Sequence, residues 1–210
     1  MSWRRAGLAG LAACLNGILL LVPVTWLSHG VLPGGVTLFA VACLCGAVAA
    51  ETACATPVQA SSSNNDLDLL NWAQGLWLLV SFEAALIWTT LHPEPMSALI
   101  VAAGGATMAA GASLRCLAIR KLGSGFTNNS QPATASLCVD GVYARLRHPA
   151  ETGLLLLAVG LPLCLQAWAI MPWLVAPQLL LSWLRIRAEE RGLAQAFPET
   201  FEHHRNHVKF

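Results

Sequence analysis

The first half of the chain contains no lysine or arginine between Ala6 and Leu114, although it is rich in apolar residues. Hydrophobic residues make up 56% of the whole sequence and charged residues 11%. This composition is typical of a chain that lies in a lipid bilayer, where a charged side chain is costly. We therefore expect an integral membrane protein.

Four apolar stretches are long enough to cross the hydrocarbon core of a bilayer, which takes about 20 residues of helix. They cover about residues 6–27, 36–56, 69–91 and 96–118. Shorter apolar blocks at 153–169 and 173–184, separated by Met171-Pro172, predict a helical hairpin with kinks at Pro162 and Pro177. The predicted fold is all-α, with four transmembrane helices followed by a C-terminal helical hairpin and a cytosolic helical tail. We divide it into a four-helix transmembrane region, 1–119, and a cofactor-binding catalytic region, 120–210.

Basic residues set the expected orientation, because cytoplasmic flanks of transmembrane helices are enriched in Lys and Arg. Arg4 and Arg5 precede the first span, and four crossings return the chain to the same side at Arg115. The prediction is a multi-pass protein of the inner or cytoplasmic membrane, with its N-terminus and catalytic region in the cytoplasm.

Basic side chains reappear in the connection between the fourth span and the hairpin. They are Arg115, Arg120, Lys121, Arg145 and Arg147. Pro149 disfavours helical backbone at His148, so we expect His148 and Arg147 on a turn just before the next apolar helix. Charge concentrated at the edge of a membrane indicates a functional site.

The tail carries a second group of charged residues. Arg185 and Glu189 are four residues apart in a helix that continues the last apolar block, so they share one helical face. On an exposed helix such a pair would contribute less than about 1 kcal/mol. Here the helix leaves the membrane beside Arg147-His148-Pro149, and we expect the two segments to form one site.

Other features predict packing rather than chemistry. The small residues from Ala102 to Gly111 suit close helix contact. The cysteines are scattered singly, and the tail histidines His203, His204 and His207 lack a further ligand, so we expect no disulfide and no metal. Glu83, in the middle of the third span, either lines a substrate path or bonds to a neighbouring helix.

Together the charged motifs resemble the isoprenylcysteine carboxyl methyltransferases and their bacterial relatives, which share features with the phospholipid methyltransferases. The family pattern runs L-G-x-x-W, then H-x-L-V-x-x-G-x-Y-x-x-x-R-H-P-x-Y-x-G, then R-x-x-x-E-E-x-x-L-x-x-x-F-x-x-x-Y-x-x-Y. The matching residues are Leu122-Gly123, Leu137, Gly141, Tyr143, Arg147-His148-Pro149, Gly153, Arg185, Glu189-Glu190, Leu193 and Phe197. The resemblance covers about residues 115–210.

The resemblance implies transfer of a methyl group from S-adenosylmethionine to a lipophilic acceptor, such as a prenylcysteine carboxylate, that enters from the bilayer. By resemblance, Arg185 orients an anionic acceptor, with His148 and Arg147 as the other catalytic candidates. The implied cofactor-binding residues are Leu137, Cys138, Tyr143, His148, Pro149, Glu151, Glu189 and Glu190. Membrane lipids are the other expected partners, with no nucleic acid and no metal.

Departures from the pattern leave two alternatives. Glu151 stands where the pattern has Tyr, Ala135 replaces a His, and Phe201 and His204 replace tail tyrosines. A diverged, non-catalytic membrane protein is one alternative. The other is a membrane NADPH-dependent reductase of the sterol reductase type, which shares the Arg-His-Pro element but typically continues it with Asn-Tyr rather than Ala150-Glu151.

Overall fold

The computed structural model describes residues 65–92, 97–122 and 137–208, together with six single residues between Gly35 and Cys45. This part of the chain contains five α-helices, one short 3-10 helix and no strand. They are α1 (Asn65–Leu91), α2 (Ala98–Leu122), the 3-10 helix (Gly141–Ala144), α3 (Pro149–Cys164), α4 (Met171–Ala196) and α5 (Pro198–His207). The all-α prediction is confirmed for the described residues.

Two helices are long and apolar enough to cross a bilayer, Leu69–Leu91 within α1 and Ala98–Leu122. They correspond to the third and fourth predicted spans. The first two, 6–27 and 36–56, fall outside the described residues apart from the six single positions, which are helical. Of the four predicted spans, two are thus helices of sufficient length and apolarity, and α3 is a shorter apolar helix.

The outer surface of the described bundle is apolar, while polar side chains are buried inside it. Trp72 and Trp173 are 79% and 78% exposed, whereas Gln74, Gln178 and Ser182 are at most 1% exposed. Large exposed apolar patches are rare on soluble monomers, and a lipid environment removes their cost. The distribution supports a location in the membrane.

The helices α2 and α3 run antiparallel with their backbones in close contact. A Cβ atom on Gly153 of α3 would lie 2.6 Å from the carbonyl oxygen of Gly111 on α2. Farther along, a Cβ on Gly160 would meet the backbone of Met108 at 2.8 Å, and Gly104 lies against Cys164. The close helix contact predicted from the small residues of α2 is confirmed, and glycines of α3 complete it.

The end of α2 and the turn after α3 differ from the sequence prediction. Arg115, placed in the connection, is a buried residue of α2, which continues to Leu122. Its guanidinium donates a hydrogen bond to the carbonyl of Ala150 at 3.1 Å. Met171-Pro172 begins α4 rather than separating two blocks, as suits a proline in the first turn of a helix.

The buried face of α4 carries a polar stripe. Its residues Gln178, Ser182, Arg185 and Glu189 are separated by four, three and four positions and so lie along one face. This helix packs antiparallel against α1, where the indole of Trp77 donates to the carbonyl of Leu174 at 2.8 Å. After Ala196 the chain turns into α5, whose Phe201 is buried.

Candidate active site

A glycine and a proline shape the connection into α3. Gly141 has a φ of 64°, a left-handed conformation that residues with a Cβ rarely adopt, and it begins the 3-10 helix. His148 is non-helical at φ −124° and ψ 62°, and Pro149 follows as the first residue of α3. His148 is therefore held at the N-terminus of α3, on the turn that the sequence predicted.

The ring of His148 lies between two carboxylates of α4. Its Nδ1 is 3.4 Å from Oε2 of Glu189, and its Nε2 is 3.3 Å from Oε1 of Glu190. The same Glu190 oxygen accepts a hydrogen bond from Arg147 at 2.9 Å. The structure thus brings the connection and the tail together, as their sequences suggested.

These contacts change the protonation of all three groups. Burial lowers the pKa of His148, but hydrogen bonds to Glu189 and Glu190 and their charges outweigh it and raise the pKa to about 9. Burial likewise raises the pKa of Glu189, yet His148 and Arg185 together lower it to about 2. The hydrogen bond from His148 lowers the pKa of Glu190 as well. At neutral pH the cluster therefore contains an imidazolium between two carboxylates.

Arg185 is buried among α1, α3 and α4. Its Nε donates to Oε1 of Glu189 at 3.0 Å and lies 3.2 Å from Oε1 of Glu151. One terminal nitrogen donates to Oε1 of Gln74 at 3.2 Å and to Oδ1 of Asn71. The side chains of Arg185 and Glu151 are 5% and 3% exposed. The guanidinium is thus surrounded by acceptors from the chain itself.

Residues of α1 join this site although the sequence analysis did not name them. The amide nitrogen of Gln74 donates to Oε2 of Glu151 at 2.8 Å and to the hydroxyl of Ser182 at 3.0 Å. Asn71 and Gln74 are three residues apart, so they share the face of α1 that meets α4. The sequence did contain a signal for them, because Asn71 and Gln74 are polar residues at helical spacing within an otherwise apolar stretch.

The candidates for the nucleoside part of the cofactor lie in the connection that precedes α3. The thiol of Cys138 donates to Asp140 at 3.4 Å, and Asp140 accepts a hydrogen bond from Lys121 at 2.7 Å. The phenol of Tyr143 donates a long hydrogen bond to the carbonyl of Ala118 at 3.5 Å, and burial, followed by the charges of Cys138 and Glu189, raises its pKa. Its phenol is accordingly neutral. Leu137 is half-buried just before Cys138.

Two further sequence candidates lie apart from this cluster. Both carboxylate oxygens of Glu83 are buried in α1, and no residue of the described segments hydrogen-bonds to them. The rings of His203 and His207 contact each other on α5 at 4.2 Å between centroids. Within the described ranges, no three His, Cys, Asp or Glu side chains are grouped as metal ligands would be.

The fold and the charged cluster define a helical membrane protein with a polar site at the end of an apolar bundle. Residues 99–200, just under half of the chain, match the model of the phospholipid methyltransferase family. This segment is similar to that family, which includes the isoprenylcysteine methyltransferase-like enzymes, and the resemblance noted in the sequence is confirmed at this level. The family indicates a membrane methyltransferase. Comparisons with curated proteins and with solved structures found no match.

Proposed function

We propose that this protein is a methyltransferase that uses S-adenosylmethionine and acts on a lipophilic acceptor from the bilayer. The observation that carries the proposal is the position of His148 between Glu189 and Glu190, at the start of α3 and beside Arg185. All four residues lie within the segment that matches the methyltransferase family.

The charged residues fit the polar groups of this cofactor. S-adenosylmethionine carries a carboxylate, an ammonium group, a sulfonium cation and two ribose hydroxyls. The guanidinium of Arg147 suits the carboxylate. Glu189 and Glu190 remain ionised because their pKa values are lowered, and so they suit a cation or a hydroxyl donor.

The nucleoside would then extend toward the connection that precedes α3. Tyr143, with a neutral phenol, and Leu137-Cys138 are the candidates for this contact. Aromatic and apolar side chains suit the face of an adenine ring, because they bury apolar area without adding charge.

The bound cofactor supplies an electrophilic methyl group, and the chain supplies alignment and exclusion of water. His148 is protonated at neutral pH because of its raised pKa. In this proposal it acts as a fixed cation that holds Glu189 and Glu190 in place. It does not serve as the base that removes a proton from the acceptor.

The surface of α4 supports access for a lipophilic acceptor. Trp173, Leu180 and Trp183 are 78%, 56% and 50% exposed, and the polar stripe lies on the other side of the same helix. An acceptor anchored in lipid would reach the cluster where α4 changes from apolar to charged sequence. The resemblance implies a prenylcysteine-like carboxylate as the accepting group.

Calorimetric titration of the full chain in detergent with S-adenosylhomocysteine tests the cofactor, with NADPH titrated in parallel. We expect micromolar binding of S-adenosylhomocysteine that weakens by at least about tenfold in His148→Ala, since about 1.4 kcal/mol corresponds to that factor. His203→Ala, which removes an exposed histidine of α5, is the matched control and should bind as the wild type does. Binding of NADPH alone would replace the proposal with a reductase, and binding of neither would refute both.

A further inference from the structure

We propose that Glu151 excludes negatively charged acceptors from this site, so that the methyl acceptor binds as a group without negative charge. The inference rests on the proposed methyltransferase function and adds the charge class of the substrate. It reverses the expectation that Arg185 orients a carboxylate, and the contacts of Arg185 in this chain support the reversal.

The first argument is that the guanidinium of Arg185 is already engaged. Its Nε lies 3.0 Å from a carboxylate oxygen of Glu189 and 3.2 Å from one of Glu151. A terminal nitrogen is bound to the side-chain oxygens of Asn71 and Gln74. With 5% of its side chain exposed and two of its three nitrogens in contact with acceptors of the chain, Arg185 presents little free surface to an external carboxylate.

The second argument concerns charge. The carboxylates of Glu151 and Glu189 lie beside the guanidinium of Arg185, and the nearby cations, His148 and Arg147, are themselves paired with Glu189 and Glu190. The cluster therefore offers an acceptor carboxylate no cation in excess, and Glu151, which is 3% exposed, would repel it with little screening by solvent. A tyrosine at position 151, as in the family pattern, would add no negative charge.

The third argument is that Glu151 is fixed in place. Its second oxygen accepts a hydrogen bond from Gln74 at 2.8 Å, and Gln74 is bound in turn to Ser182 at 3.0 Å. The carboxylate is thus held by α1 and α4 while it belongs to α3. Displacing it would leave a charge buried without a partner, which is strongly unfavourable.

The test compares two ligands that differ in one terminal group, which is charged in the first and neutral in the second. One is a farnesyl thioether that ends in a carboxylate, and the other is the same molecule ending in a hydroxyl. Their affinities are measured by calorimetry on the full chain in detergent with S-adenosylhomocysteine present. We expect the wild type to bind the hydroxyl compound at least about tenfold more tightly. In Glu151→Gln, which removes the charge but retains an oxygen for Gln74, the ratio of affinities should shift toward the carboxylate by at least about tenfold.

Glu202→Gln is the matched control, because it removes one negative charge from an exposed position of α5. It should leave the ratio unchanged. A wild type that prefers the carboxylate, a ratio that does not respond to Glu151→Gln, or no binding of either ligand would overturn the proposal. If Glu151→Gln does not fold, the ratio of the wild type's affinities for the two ligands still tests the proposal. Binding of S-adenosylhomocysteine, measured in the same samples, tests the methyltransferase function separately.

Discussion

The carboxylate of Glu151 on α3 lies 3.2 Å from Nε of Arg185 on α4, with 3% and 5% of the two side chains exposed. A buried ion pair of this kind carries a high desolvation cost for each partner, and that cost is offset only while both are present. The pair therefore affects both the stability of the helix bundle and the charge that a ligand meets.

Removal of one partner should be more damaging than removal of both. We expect Arg185→Met to lower the free energy of unfolding by about 3–5 kcal/mol, because it leaves the buried charge of Glu151 unpaired. The double variant with Glu151→Met should recover much of this loss. Denaturant unfolding in detergent measures both, and Arg145→Met, at an exposed position, is the control. A double variant no more stable than Arg185→Met would argue against a direct pair.

The protonation of His148 predicts a dependence of stability on pH. Its pKa is about 9 in the folded protein and 6.5 without neighbours. Because the folded value is the higher one, the stabilisation is fully present below about pH 6.5 and is lost as the pH rises through about 9. The shift corresponds to about 3 kcal/mol. The free energy of unfolding of the wild type, measured between pH 6.5 and 9, should fall as the pH rises. In His148→Gln this fall should be absent. The same dependence on pH in both proteins would contradict the ion cluster.

The glycine contact between α2 and α3 predicts opposite effects for two similar substitutions. Gly153→Ala should destabilise the protein by about 1–3 kcal/mol, because the new Cβ would lie 2.6 Å from the carbonyl of Gly111. Gly75→Ala, in the interior of α1, meets nothing within 4 Å and should stabilise by about 0.5–1 kcal/mol. Thermal unfolding of the two variants side by side tests the contact, and a tolerated Gly153→Ala would show that the helices are farther apart.

Two buried glutamines, Gln178 on α4 and Gln74 on α1, should respond differently to replacement by leucine. Gln178 is fully buried, and no described residue hydrogen-bonds to its amide, so Gln178→Leu should raise stability by about 1 kcal/mol or more. Gln74 bonds to Glu151, Ser182 and Arg185, so Gln74→Leu should lower it by about 2–3 kcal/mol. Denaturant unfolding of both variants is the measurement. Loss of stability in Gln178→Leu would reveal a partner outside the described residues.

Features set by local sequence were predictable. Pro149 restricts the residue before it, so the turn at His148 follows from steric exclusion alone. Helical periodicity placed Arg185 and Glu189 on one face, and the structure joins them at 3.0 Å. The close approach of α2 to α3 followed from small residues, since these allow backbones to touch in lipid.

Features set by contacts between distant helices were not predictable. The partners of Arg185 on α1, Asn71 and Gln74, are more than 100 positions away, and their meeting depends on how far α1 slides along α4. Helices that are apolar on nearly every face specify their relative axial position weakly, because several positions of one helix along the other bury a similar apolar area. For the same reason, the sequence identified Glu151 as a departure from the family pattern but not as a partner of Arg185.

The glycine contact also limits how a hydrocarbon tail can travel. Where the backbones of Gly111 and Gly153 touch, no gap is left for an acyl or prenyl chain to slip between α2 and α3. The contact closes that side of α3, and under the proposed function a lipophilic acceptor would have to approach along another face of the helix. Photo-crosslinking probes that map the path of such an acceptor are therefore best positioned away from the glycine contact between α2 and α3.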